Sequence, residues 1–147
     1  LSKLKYLLFS ANKTVEKKID IIIYMNFLII DGTQDKINFI SNFNDNSYHK
    51  FLKPNKDNNE KLSMELFNFF KENSIILSEL NNIFVNQGPG RFSSIRSTIS
   101  VAKALSITNN INLYGFNNGD FNEGDYKNII NLYEKGRLTK NLINPIY

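Results

Sequence analysis

Residues Asn82 to Leu105 read NIFVNQGPGRFSSIRSTISVAKAL, and this stretch constrains the fold more than any other. Ile83, Phe84 and Val85 form a short apolar run, the pattern of a strand buried on both faces beside crossover helices. Gly88-Pro89-Gly90 follows. Glycine permits positive φ and close approach of another group, and proline fixes its own φ, so the three residues predict a tight turn. From about Phe92 to Ile107 the apolar residues Phe92, Ile95, Ile99, Ala102 and Leu105 step by three or four, the spacing of a helix face laid on a sheet. A strand, a glycine turn and a helix in that order make this an α/β chain.

The flanks fill in the plan. Asn26–Asp31 is an apolar run ending in a carboxylate and Gly32. Lys36–Ser41 alternates polar and apolar, and Ser47–Leu52 is a third strand; short polar turns at Gly32–Asp35 and Asn42–Asn46 predict an antiparallel meander. Leu62, Leu66, Phe69 and Phe70 make one face of a helix from about Glu60 to Glu72, with Asn58 or Asn59 as its cap. Ser78-Glu79 suggests a short helical turn. Ile111–Phe116 reads as a strand, Asn117–Asp125 with Gly119 and Gly124 as a loop, and Asp125 to Lys135 as a helix with Ile129, Ile130 and Tyr133 inward. Gly136 ends that helix, and Leu142–Tyr147 reads as a terminal strand or an ordered tail. Three strands, helix, strand, helix, strand predict a mixed five-stranded sheet with flanking helices, the plan of a ribonuclease-H-like layer.

At 147 residues the chain is long enough to bury roughly 70% of its unfolded surface as one domain. It has no cysteine, which removes thiolate catalysis and every cysteine-based metal site, and its one histidine, His49, removes a histidine-rich one. The net charge of +4 points only weakly to nucleic acid. The lysines are spread along the chain and arginine occurs only at 91, 96 and 137, so no basic stripe forms. The apolar run Ile19–Ile30 contains Asp20 and Asn26 and falls short of the roughly 20 residues a membrane span needs. Residues 1–24 read as an N-terminal extension, either an overcalled start before Met25 or a real extra helix or strand, and 25–147 as a single domain. No targeting signal is present, so a cytoplasmic location is expected.

Three features bear on chemistry. A helix N-terminus behind a glycine turn offers free N–H groups and a positive dipole end, so Gly88, Pro89 and Gly90 with Arg91 and Arg96 form a candidate anion- or nucleotide-binding turn; the competing reading is a tight connection without a ligand. No Gly-Lys-Ser/Thr follows, so it is not a P-loop. On the other side of the helix Ser93, Ser97, Ser100 and Ala104, with Val101 beside them, place small side chains along one stripe, where a second helix can approach closely. The third is Asp31, at the end of the first strand. Two-metal chemistry needs several converging carboxylates. Glu60 is the next acid, and the later strand ends in Asn86 and Gln87, so the set is incomplete and Asp31 reads better as a turn residue bonded to local N–H groups. His49 reads as a surface residue.

NQGPGRFSSIRSTISVAKAL resembles the G-P-G-S-F-T-G-[LV]-R-x-G…AKGLA signature of the TsaB (YeaZ) family, part of the Gcp-like group with an actin/Hsp70/sugar-kinase type of fold. NFLIIDGTQDKINFIS is similar to that family's opening I-L-A-I-D-T-S-T strand and the strand after it. NEKLSMELFNFFKENSIILSELNNIFV is similar to its H-S-E-x-L…L-x-x-L-D-x-I-x-V segment, and NPIY to its P-x-Y-L-R ending. The resemblance covers about residues 25–117. Arg91 stands where the family has Ser, Ser93 where it has Thr, Ser94 where it has Gly, and Asn58 or Asn59 where it has His.

The resemblance implies one lobe of an actin/Hsp70-type fold with the second lobe largely missing. It implies a non-catalytic scaffold that pairs with a TsaD-type catalytic paralogue in forming threonylcarbamoyladenosine in tRNA, with a TsaE-type ATPase as a further partner. The contact helix would be the one bearing Ser93, Ser97, Ser100, Val101 and Ala104, and a homodimer could use the same face. No intrinsic cofactor or metal is implied, only ATP or ADP at the complex interface, with tRNA reached through the complex. The alternative is a ribonuclease-H-like nuclease or phosphotransferase using Asp31.

Overall fold

The computed structural model describes residues 25–122 and 125–147. Segment 1–24, read from the sequence as an extension, lies outside the described residues, as does Gly124 of the expected loop. Strands β1 (Phe27–Asp31), β2 (Ile37–Phe43) and β3 (Asn46–Leu52) form the expected antiparallel meander. Asn44 and Asp45, at φ of 49° and 64°, make the two-residue β2–β3 turn; short polar side chains tolerate that left-handed conformation. Helix α1 (Asn58–Glu72), a short 3-10 turn, β4 (Asn82–Asn86), helix α2 (Phe92–Asn109) and β5 (Asn112–Phe116) follow. Helix α3 (Lys127–Glu134) and β6 (Thr139–Lys140) close the chain.

The sheet runs β3-β2-β1-β4-β5-β6. β4 lies parallel to both β1 and β5, because a helix carries the chain back between them, and β6 pairs antiparallel with β5. The sheet therefore has six strands rather than five. The sixth is only two residues long and shows no periodicity in the sequence. Leu142–Tyr147, the expected terminal strand or tail, is an irregular tail whose Ile143 is fully buried.

Helices α1 and α2 cover one face of the sheet, over Leu28, Ile30, Phe39, Ile83 and Val85. On the other face Ile129 of α3 joins Met25, Ile29, Phe84 and Phe116. Every residue of β4 is buried, as expected for a strand between two covered faces.

Three local expectations need correction. The N-cap of α1 is Asp57, not Asn58 or Asn59: the Asn55 side chain accepts from the Asp57 N–H at 3.0 Å, starting the turn early, and Asn58 Nδ2 instead donates to the Lys53 carbonyl at 2.8 Å. Helix α2 runs two residues past Ile107 and stops at Asn110, which takes the left-handed conformation of a helix C-cap at φ 53°. Phe92, expected against the sheet, is 56% exposed and stacks on Tyr147. Thr98 is the interior residue that the apolar pattern hides: it is fully buried, and its hydroxyl donates to the Ile95 carbonyl at 3.1 Å.

Candidate functional site

The C-terminal ends of β1 and β4 meet beside the glycine turn. There the fully buried Asp31 accepts from the Thr33 N–H at 3.0 Å and the Thr33 hydroxyl at 2.7 Å, both on Oδ1. Its Oδ2 accepts from the Tyr126 phenol at 3.0 Å. Local donors hold one oxygen, as the turn reading required, and a residue from far along the chain holds the other. Asn86, at the end of β4, donates from Nδ2 to Asn118 Oδ1 at 2.8 Å and to the Thr33 hydroxyl at 3.3 Å, and accepts from the Gly88 N–H at 3.0 Å. The place of a second acid is thus taken by an amide whose two ends are both used. Glu60 is exposed in the first turn of α1. Among the described residues, no group of three or more His, Asp or Glu could hold a metal ion. His49 is exposed, and its Nε2 lies 3.1 Å from Asn38 Oδ1.

The glycine turn is held from two sides. The Gly88–Pro89 peptide is cis, and Gly88 has φ of 119°. A Cβ on Gly88 would run into the Ile146 carbonyl, and one on Gly90 into the Thr33 carbonyl, so neither position has room for a side chain. The C-terminal tail grips the same turn. Ile146 N–H donates to the Gln87 carbonyl at 2.7 Å, and Gln87 Nε2 donates to the Asn144 carbonyl at 2.9 Å. Asn118 Nδ2 donates to the Pro89 carbonyl at 2.6 Å.

Arg91 is the N-cap residue of α2, with no side-chain cap bond. Its guanidinium lies 3.7 Å from Asp35, with both side chains largely exposed. Arg96 lies over the Phe92 ring at 5.1 Å, which in turn stacks on Tyr147 at 4.7 Å. Both arginines follow the turn, at and within the start of α2, and each already has a neighbour.

On the outer side of α2, Ser93, Ser100 and Ala104 are exposed and Ser97 half-buried. Val101 is partly buried and packs against the core. The Ser100 hydroxyl donates to the Arg96 carbonyl at 2.7 Å, so it is folded back on its own helix and adds little bulk. Ile107 stands 81% exposed near the end of the same helix, and Met64 and Phe67 of α1 are each 53% exposed.

Residues 55–121 match the family model described as TsaD: tRNA N6-adenosine threonylcarbamoyltransferase. YeaZ from Pseudomonas aeruginosa has a similar structure, with a TM-score of 0.59 and 16% identity over 63% of this chain and 44% of that one. The chain shares its fold with YeaZ. A second structure, an uncharacterized Pseudomonas aeruginosa protein with similarity to peptidase YEAZ, gives a TM-score of 0.59 at 16% identity over 63% of this chain and 43% of that one. The chain thus spans less than half the length of the YeaZ structures it matches. T. thermophilus RuvC, solved in complex with Holliday junction substrate, shares the fold at a TM-score of 0.51 and 5% identity over 80% of this chain and 99% of that one. No curated protein matches the chain. The matched family is one of tRNA modification, and its segment contains α1, the glycine turn and α2.

The sequence had marked Asp31, Asn86 and the glycine turn. It had not marked Tyr126, Asn118 or Ile146 as their partners. Those three come from the region of weakest periodicity, where no motif signals a long-range bond. Among the described residues no helix is long and apolar enough to cross a membrane.

Proposed function

We propose that this chain is a non-catalytic scaffold that binds a TsaD-type catalytic paralogue in the formation of threonylcarbamoyladenosine in tRNA. The observation that carries the reading is the outer face of α2, an 18-residue helix fixed at its start by the glycine turn, which presents Ser93, Ser97, Ser100 and Ala104 outward beside Val101. Small side chains let a partner helix come close, and the exposed Met64 and Phe67 of α1 add the apolar bulk that interface centres favour. Asp31 and Asn86 share Thr33 as a partner and spend their other polar atoms on Tyr126, Asn118 and Gly88, which supports a structural role for them. A TsaE-type ATPase joins the complex, ATP or ADP binds at its interface near Gly88–Arg91, and tRNA is reached through it. The setting is the cytoplasm. Without the partner, the same face pairs two copies of the chain.

Co-purification with the cognate TsaD tests this. An interface on the order of 1,600 Å² or more is expected, and Ser100→Arg or Ala104→Arg should weaken it. Binding that survives both changes undiminished would place the contact elsewhere.

The RuvC-like fold, with Asp31 at the end of β1, favours one second reading: a ribonuclease-H-like nuclease or phosphotransferase. Mg²⁺-dependent cleavage or ATP hydrolysis that disappears in Asp31→Asn would put it first.

A further inference from the structure

Among the described residues, the sheet face opposite α1 and α2 is only partly covered. Helix α3 packs over Ile29, Phe84 and Phe116. Beside it a groove of about 420 Å³ extends across β1, β2 and β3. Phe27, Ile29 and Ile40 supply its apolar surface, and Asn38 and His49, bonded to each other at 3.1 Å, supply polar groups. Lys36 and Lys127 line it too; both are exposed, and neither forms an ion pair among the described residues. Asp125 is the one acid in the lining among the described residues, and its Oδ1 already accepts from the Lys127 N–H at 3.1 Å.

A concave, mainly apolar site of this size with a few converging polar groups is the form small-ligand sites take. We propose that the groove binds a small, flat organic anion. Its apolar body lies on Phe27, Ile29 and Ile40, and its acidic group is directed toward Lys36 and Lys127. Two lysines against one engaged aspartate set the sign of the ligand's charge. The volume suits a small molecule rather than a helix of a partner protein. The site lies on the opposite side of the sheet from the outer face of α2, so it stands or falls independently of the scaffold reading.

The probe is 8-anilinonaphthalene-1-sulfonate, compared with N-phenyl-1-naphthylamine, which has the same ring body and no charge. In a fluorescence titration of the chain the sulfonate should bind about tenfold more tightly than the amine, the size of effect two exposed ion pairs produce. Lys36→Gln combined with Lys127→Gln should bring the two probes to within about twofold of each other. Ile40→Glu should abolish sulfonate binding, whereas Ile76→Glu, exposed and outside the groove, should leave it unchanged. If Ile40→Glu fails to fold, amide shifts of the unmodified chain decide: the sulfonate should move Ile29, Ile40 and His49. Equal affinity for the two probes overturns the proposal. So do shifts confined to α1 and α2, or no binding at all.

Discussion

The phenol of Tyr126 donates to the carboxylate of Asp31 at 3.0 Å, across 95 residues of sequence. It ties the segment leading into α3 to the end of β1 and occupies the carboxylate oxygen that Thr33 leaves unused. Tyr126→Phe keeps the ring and its stacking on Phe121 but removes the donor. Removing a hydrogen bond to a buried carboxylate costs about 1–3 kcal/mol. Urea unfolding of the single variants and of Tyr126→Phe with Asp31→Asn should give a coupling energy of about 0.5–3 kcal/mol. A coupling near zero would show that the two groups do not depend on each other.

Asn86 stands where an acid would complete a metal site, and Asn86→Asp tests what the amide does. The substitution removes the donor to Asn118 and Thr33 and places a carboxylate against Asn118 Oδ1. A buried acceptor facing an acceptor is unsatisfied, so a loss of about 2–4 kcal/mol is expected, read as a lower thermal midpoint. An unchanged midpoint would show that the cluster rearranges freely.

Gly88→Ala meets two obstacles at once. The backbone is at φ 119°, where a side chain is strained, and the new methyl would strike the Ile146 carbonyl. The combined cost should be about 2–4 kcal/mol in chemical denaturation. A cost below about 0.5 kcal/mol would mean that the tail moves aside without penalty.

The tail itself separates anchor from rim. Ile143 is fully buried and Ile146 is 41% exposed. Ile143→Ala should cost about 2–5 kcal/mol, and Ile146→Ala, whose backbone bond to Gln87 survives, under about 1 kcal/mol. Proteolysis of the tail under native conditions would rise in the first variant and not in the second.

How legible the chain was varied along its length. The meander, α1, β4 and α2 follow from short continuous apolar runs in β1 and β4 and from periods of two or of three to four elsewhere, and their bounds fall within two or three residues of those expected. Phe92 went wrong because an apolar residue at the first turn of a helix fits the pattern whichever way it points; only the presence of Tyr147 decides that it stacks outward. Thr98 was hidden for the opposite reason: its hydroxyl is satisfied within its own helix, so a polar residue could be buried without a partner elsewhere.

Local spacing alone determined the order of the elements from β1 through α3, the tight glycine turn, and the incomplete acid set at the ends of β1 and β4. The outward stripe of small residues on α2 was also readable there, because a helix has a fixed period. Tertiary structure decided what surrounds these features. Tyr126 on Asp31, Asn118 on Asn86 and Ile146 on Gln87 are single contacts between distant segments. Such a contact leaves no periodic mark, since it depends on where the folded chain returns rather than on which residues are neighbours along it.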